Sequence, residues 1–181
     1  MESARKKDNR KGSFVFRVGV VVLVVFIIWG GSILLRAPLL PEGKLAPLWS
    51  LTLVSNPEKQ LSLEDLRGKI VVIDFWSISC PPCVRSLPGL EAVSRQMKGL
   101  GVVVVGIEAW GESAERIREF AKQKNVTYPL LMGTDSVILT YKATTLPTLY
   151  ILDRQGRVAE SHRGYISQEG LEKTIAGVLE H

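Results

Sequence analysis

The stretch KIVVIDFWSISCPPC, residues 69–83, joins an apolar, β-branched run of eight residues to a pair of cysteines three positions apart. A run that short, and apolar on both faces apart from Asp74, predicts an interior strand, covered on both sides and ending close to Cys80. Downstream the period changes. Val84, Leu87, Leu90, Val93 and Met97 recur at helical spacing, with Arg85, Ser86, Glu91 and Arg95 between them, which predicts a helix over residues 82–97. Cys80-Pro81-Pro82-Cys83 therefore sits where a buried strand turns into a helix. Cysteines at i and i+3 on a first helical turn lie near enough to form a disulfide. The helix N-terminus favours a thiolate at Cys80 and makes it the better nucleophile. Prolines at a first turn forfeit no internal helix bond, but they remove two amides, leaving the Cys83 backbone as a donor to the Cys80 sulfur.

Outward from this motif the chain alternates. Pro88 is expected to bend the helix; GVVVVGIEA (101–109) reads as a second buried strand and residues 113–124 as a helix, with Ile117, Phe120 and Ala121 facing inward. Strand, helix, strand, helix implies right-handed crossovers around a parallel core. The end changes character: TLYILD (148–153), a turn at 154–156 and RVAESHRG (157–164) predict a hairpin, and SQEGLEKTIAGVLE (167–180) a closing helix. Before the motif, WSLTLVS (49–55) predicts an opening strand, and LSLEDLRG (61–68) a short helix capped by Ser62 and Asp65. The expected fold is α/β, with a central mixed sheet flanked by helices and an antiparallel hairpin at one edge. Asp74, six residues before Cys80, has two readings: an end-of-strand carboxylate reaching solvent, or a buried acid of raised proton affinity that takes a proton from Cys83. Alternation places Asp74 and Trp76 on the face opposite Ile73 and Phe75.

The 181 residues carry a formal charge of +5, and residues 1–17 hold six basic side chains against two acids, so the basic character belongs to a tail. A nucleic-acid-binding surface on the body is not implied. Residues 18–35, VGVVVLVVFIIWGGSILL, carry no charge, and with residues 14–16 they reach the length that crosses a bilayer as a helix. The expected organisation is a cytoplasmic basic tail (1–13), a transmembrane anchor (14–35), a spacer (36–44) and one domain (45–181). The positive-inside rule puts that domain outside the cytoplasm, on a single-pass protein of the cell membrane. A cleaved signal peptide is the competing reading, against which stand the length of the apolar run and the lack of a small-x-small site in APLLPEG (37–43). Two cysteines exclude a scaffold of several disulfides and an all-thiolate zinc site.

VVIDFWSISCPPC (71–83) resembles the strand and active-site segment of the membrane-tethered, thioredoxin-like thiol-disulfide oxidoreductases of the TlpA/ResA type, and the likeness runs over nearly all of residues 45–181. It implies a thioredoxin-like fold, with Cys80 attacking, Cys83 resolving, and Asp74 as the buried acid. GVVVVGIEAW (101–110) and VTYPLLMGTD (126–135) look like the segment that separates this branch from minimal thioredoxin. ATTLPTLYILDRQGRV (143–158) resembles the cis-proline segment, which gives that role to Pro147 and brings Leu146 alongside Cys80 to pair with a substrate chain. A trans proline at a strand entrance is the alternative from sequence alone. Trp76, Ser79, Pro81, Pro82, Thr145 and Leu146 are the expected substrate-docking residues. Three departures bear on substrate range and potential: Ser79 replaces the usual Trp, Thr145 the frequent Gly, and Pro81 the more often polar residue between the cysteines.

The resemblance implies disulfide exchange with partner proteins in a reductive direction, such as reduction of apocytochrome c thiols, with an integral membrane thiol reductase as the recharging partner. A protein-disulfide oxidase is the nearest alternative, because direction follows from relative potentials. A peroxidase lacks a second motif, and a copper metallochaperone would use the same two thiolates but usually adds a downstream His. No cofactor is required by the visible sites. His162 reads as a surface or packing histidine, and His181 as a residue outside any functional argument. Trp110 reads either as active-site rim or core edge, and Glu108 either as a further acid near the catalytic end of the sheet or, in preference, as a loop carboxylate in solvent.

Overall fold

The computed structural model describes residues 19–21 and 38–180, and the chain divides into two units after Pro38. The expected tail, and nearly all of the expected anchor, lie outside the described residues. Among the described residues no helix is long and apolar enough to cross a membrane.

The unit beginning at Leu39 is built on one seven-stranded sheet. Its strands are β1 (Ser50–Leu53), β2 (Asn56–Ser62), β3 (Ile70–Trp76), β4 (Val102–Glu108), β5 (Leu130–Met132), β6 (Thr148–Leu152) and β7 (Val158–Arg163), in the order β2-β1-β5-β4-β3-β6-β7. β3 pairs in parallel with β4, and β4 with β5, while the other pairings are antiparallel. Every residue of β3 is buried, as expected of a strand covered on both faces.

Four helices flank the sheet: α1 (Pro81–Gln96), α2 (Ala114–Lys124), α3 (Asp135–Thr140) and α4 (Gln168–Leu179). α1, α2 and α4 share one face, where Cys83, Leu87, Leu90 and Val93 of α1 meet Ile117, Leu171 and Ile175 over Val72, Trp76 and Val104 of the sheet. The opposite face gathers Val71, Ile73, Phe75, Trp49, Tyr141 and Tyr150, with Val137 and Ile138 of α3 beside them. The rings of Phe75, Tyr141 and Tyr150 pack mutually, at centroid separations from 5.3 to 6.3 Å. Two cores, one on each side of β3 and β4, hold the strand that carries the site from above and below.

Antiparallel hairpins stand at both edges, not at one. β2 escapes the sequence reading because NPEKQLS is polar, contains Pro57 and pairs only with β1; an exposed edge strand needs no alternation of apolar side chains. LSLEDLRG forms a single tight turn, Glu64–Leu66, instead of a longer helix, and its N-cap is Leu63, one residue beyond the expected Ser62, but Ser62 and Asp65 pair as expected. The Ser62 backbone N–H donates to Asp65 Oδ2 at 2.8 Å, and the Asp65 N–H to Ser62 Oγ at 3.2 Å. Residues of the expected spacer bind the domain: Gly43 N–H donates to the Val158 carbonyl, Val158 N–H to the Lys44 carbonyl, and Leu39 and Leu40 pack on the Tyr150 side of the core.

Candidate active site

β3 ends at Trp76, and the chain turns once before α1: Cys80 N–H donates to the Ser77 carbonyl at 3.2 Å, and Ser79 N–H to Ser77 Oγ at 3.3 Å. Cys80 is the N-cap of α1, in extended backbone (φ −108°, ψ 100°), and its sulfur accepts the Cys83 N–H at 3.3 Å. With Pro81 and Pro82 supplying no N–H, that amide is the nearest donor the helix start has to give. The cysteines are joined as a disulfide with Cα atoms 5.3 Å apart, and both are buried, while Pro81 is exposed and Pro82 half-buried.

Asp74 lies between Val72 and Trp76 on β3, so it faces the layer that holds Cys80, Cys83 and α1. It is 1% exposed, which removes the solvent-facing reading. Burial pushes its carboxyl up to about 7, because the charged form loses its hydration. Asp74 Oδ2, Trp76 Nε1 and the Tyr128 hydroxyl are buried without hydrogen-bond partners. Tyr128 is also raised, first by burial and then by the charge of Asp74, so the two side chains feel each other. Tyr128 escaped the sequence reading, since a lone Tyr before Pro129 carries no motif signal.

The expected docking residues separate. The Leu146–Pro147 peptide is cis, as the resemblance implied. Pro147 is buried, and its carbonyl accepts the Gly164 N–H at 2.8 Å; Leu146 is half-buried against the cluster that contains both cysteines, and Thr145 is exposed. Ser79 is exposed. Trp76 is not a docking residue: it is fully buried, 6.1 Å from the Phe120 ring between centroids, with its Nε1 over Gly106, where an added Cβ would lie 3.0 Å away. Strand alternation turns it inward, and the absent side chain of Gly106 leaves room for the indole.

The far side of the site differs from the sequence reading. Glu108, the last residue of β4 and paired with Trp76, is 2% exposed instead of solvated. Its Oε1 accepts the Trp110 N–H at 3.0 Å, and its Oε2 those of Gly111 and Glu112 at 2.9 and 3.1 Å. Three amides compensate a carboxylate that burial alone would disfavour. Glu112 in turn accepts the Ser79 hydroxyl at 2.9 Å and pairs with Arg116 at 2.5 Å. Trp110 is 54% exposed, which removes the core-edge reading. On the other side, Arg85 of α1 lies 5.6 Å from the centroid of the Tyr165 ring, and His162 Nε2 lies 3.3 Å from the Tyr165 carbonyl oxygen. Among the described residues no group of three or more His, Cys, Asp or Glu side chains is gathered as a metal site.

A redox pair capping a helix, set at the end of a central strand between two hairpin-edged halves of a mixed sheet, defines a thioredoxin-fold thiol-disulfide oxidoreductase. Comparison with known proteins agrees. The AhpC/TSA family model matches residues 43–161, and the chain belongs to that family. It is similar to the thioredoxin-like protein YneN of Bacillus subtilis, at 31% identity over 135 residues, covering 74% of this chain and 78% of that one. It is also similar to the thiol-disulfide oxidoreductase ResA of Bacillus cereus, at 29% over 168 residues, covering 90% and 95%. Among solved structures, a candidate DsbE-type thiol:disulfide interchange protein of Chlorobium tepidum matches with a TM-score of 0.71 at 26% identity, covering 77% of this chain and 99% of the other. The activity is that of a thiol-disulfide oxidoreductase of the ResA/DsbE type.

Proposed function

We propose that this oxidoreductase reduces disulfides of partner proteins outside the cytoplasm, held to the membrane by residues 14–35 and recharged by an integral membrane thiol reductase. The observation that carries the chemistry is the Cys80 sulfur at the head of α1, accepting the Cys83 N–H, with Asp74 buried in the layer beneath. In the dithiol form the Cys80 thiolate attacks a partner disulfide; a Cys80–partner bond forms, the partner's own S–S bond breaks, and its released thiolate takes a proton. Cys83 then gives its proton to Asp74, directly or through one water, and attacks the Cys80 sulfur. The Cys80–Cys83 bond forms as the Cys80–partner bond breaks, and the second partner thiolate takes a proton, so the partner leaves as a dithiol with two electrons gained. Pro147 and Leu146 border this exchange, and Ser79, Pro81, Pro82 and Thr145 supply the surface around it.

The reductive direction is supported by the likeness of VVIDFWSISCPPC to reductive members of the family, and thiols of apocytochrome c fit as substrates. A redox titration of the full-length chain in mild detergent against dithiothreitol tests the direction. A potential below about −220 mV is expected, and one near about −120 mV would instead identify an oxidase.

The orientation follows from the six basic residues before the apolar run. In intact cells, after reduction, Cys80 is expected to react with a membrane-impermeant maleimide as it does in lysed cells. Protection in intact cells alone would reverse the topology.

A further inference from the structure

We propose that the loop of residues 109–113 presents Trp110 as a docking platform for the polypeptide flanking the partner's reactive cysteine, with Glu108 and Ser79 as the residues that hold the loop beside Cys80. This rests on the disulfide-exchange reading of Cys80 and Cys83.

Three observations converge on it. First, Trp110 is 54% exposed, whereas the other described tryptophans, Trp49 and Trp76, are 5% and 0% exposed. A large indole left in water carries an unsatisfied hydrophobic surface that a partner can cover. Second, the loop beneath it is fixed. Ala109 N–H extends the β3–β4 ladder to the Trp76 carbonyl at 2.9 Å, the Glu108 carbonyl accepts Gly133 N–H at 2.9 Å, and the buried Glu108 carboxylate binds three successive amides. A carboxylate is costly to bury, and here it is spent on shaping five surface residues. A rigid aromatic side chain on a rigid loop binds with little further loss of conformational entropy. Third, the loop is tied to the reacting end of the chain: Glu112 accepts the hydroxyl of Ser79, the residue that precedes Cys80. Ser79 itself contributes no ring, whereas Trp110 stands two residues from Glu112, which accepts the Ser79 hydroxyl.

The partner's chemistry follows from the charges. Glu112, the one charged residue of the loop, pairs with Arg116, so the loop itself offers no uncompensated charge to select an ionic side chain. The platform suits an extended segment with an aromatic or branched apolar residue next to its cysteine. A segment with a small polar residue there gains nothing from the ring.

The test uses the reduced full-length chain in mild detergent and two hexapeptides, each activated as a mixed disulfide with nitrothiobenzoate, one with Phe and one with Ser beside its cysteine. Stopped-flow release of nitrothiobenzoate gives the ratio of the two rates, a quantity that general damage to the fold does not set. The parent is expected to prefer the Phe peptide by about tenfold, the effect of one well-buried aromatic contact. In Trp110→Ala the ratio should fall below about twofold, Trp110→Phe should restore most of it, and Glu108→Gln should lower it by releasing the loop. A parent ratio near one, or a Trp110→Ala ratio equal to the parent's, overturns the platform. Failure of the underlying reading looks different: neither peptide would react faster with the reduced parent than with Cys80→Ser.

Discussion

In the Cys83→Ser variant, partner proteins are expected to accumulate as mixed disulfides on Cys80, and catalytic turnover to fall on the order of a hundredfold or more, because attack proceeds while intramolecular resolution cannot. Cys80→Ser should capture few partners. The asymmetry follows from the structure: the Cys80 sulfur caps α1 and accepts a backbone N–H, a setting that stabilises its thiolate, whereas Cys83 lies inside the first turn and is fully buried. Non-reducing gels of membranes expressing each variant, with the captured chains released by reductant, measure the difference. Differential alkylation of the reduced parent gives an independent check, and Cys83 emerging as the faster thiol would reverse the assignment.

Asp74→Asn is expected to slow release of a Cys80-linked partner by about a hundredfold, the usual contribution of a positioned acid or base, while changing the initial attack far less. Single-turnover kinetics at neutral pH separate the two steps, and equal resolution rates in variant and parent would remove Asp74 from the mechanism. With its carboxyl raised to about 7 by burial, Asp74 is partly ionised near neutral pH and suited to accept a proton there.

The same shift makes a stability prediction with a definite sign. Below about pH 4 Asp74 is protonated whether the chain is folded or unfolded, and its titration contributes nothing. Between about 4 and 7 the unfolded chain releases the proton while the folded chain keeps it, so stability of the oxidised parent falls as pH rises; above about 7 the loss levels off. The ceiling is on the order of 4 kcal/mol, at about 1.36 kcal/mol per unit of displacement. Asp74→Asn removes this slope. It should be the more stable protein at pH 8, by less than the ceiling, because a buried amide without partners costs about 1–3 kcal/mol. Urea denaturation at pH 4, 6 and 8 reads both the slope and the crossing.

Much of the fold was legible along the chain because its signals are local. The apolar, β-branched run of β3 around Asp74, the period of Val84, Leu87, Leu90 and Val93, the Ser62–Asp65 pairing and the cysteines flanking two prolines each act through neighbours within one turn or one strand, so spacing alone reveals them. The cis-proline position was reached by resemblance, since composition does not distinguish isomers. What only the tertiary structure decided concerns residues whose partners come from distant segments. β2 is a strand because β1 offers it an edge, not because NPEKQLS is strand-like. Trp76 turns inward because Gly106, thirty positions on, leaves space for an indole. Glu108 is buried because the next turn of chain folds three amides onto it, and Asp74 is raised because the core under α1 closes over its face of β3. Burial and hydrogen bonding are properties of the packed sheet. A carboxylate's identity is written in the sequence, but whether it meets water or three backbone N–H groups is settled only when β3, β4 and the loop after them lie side by side.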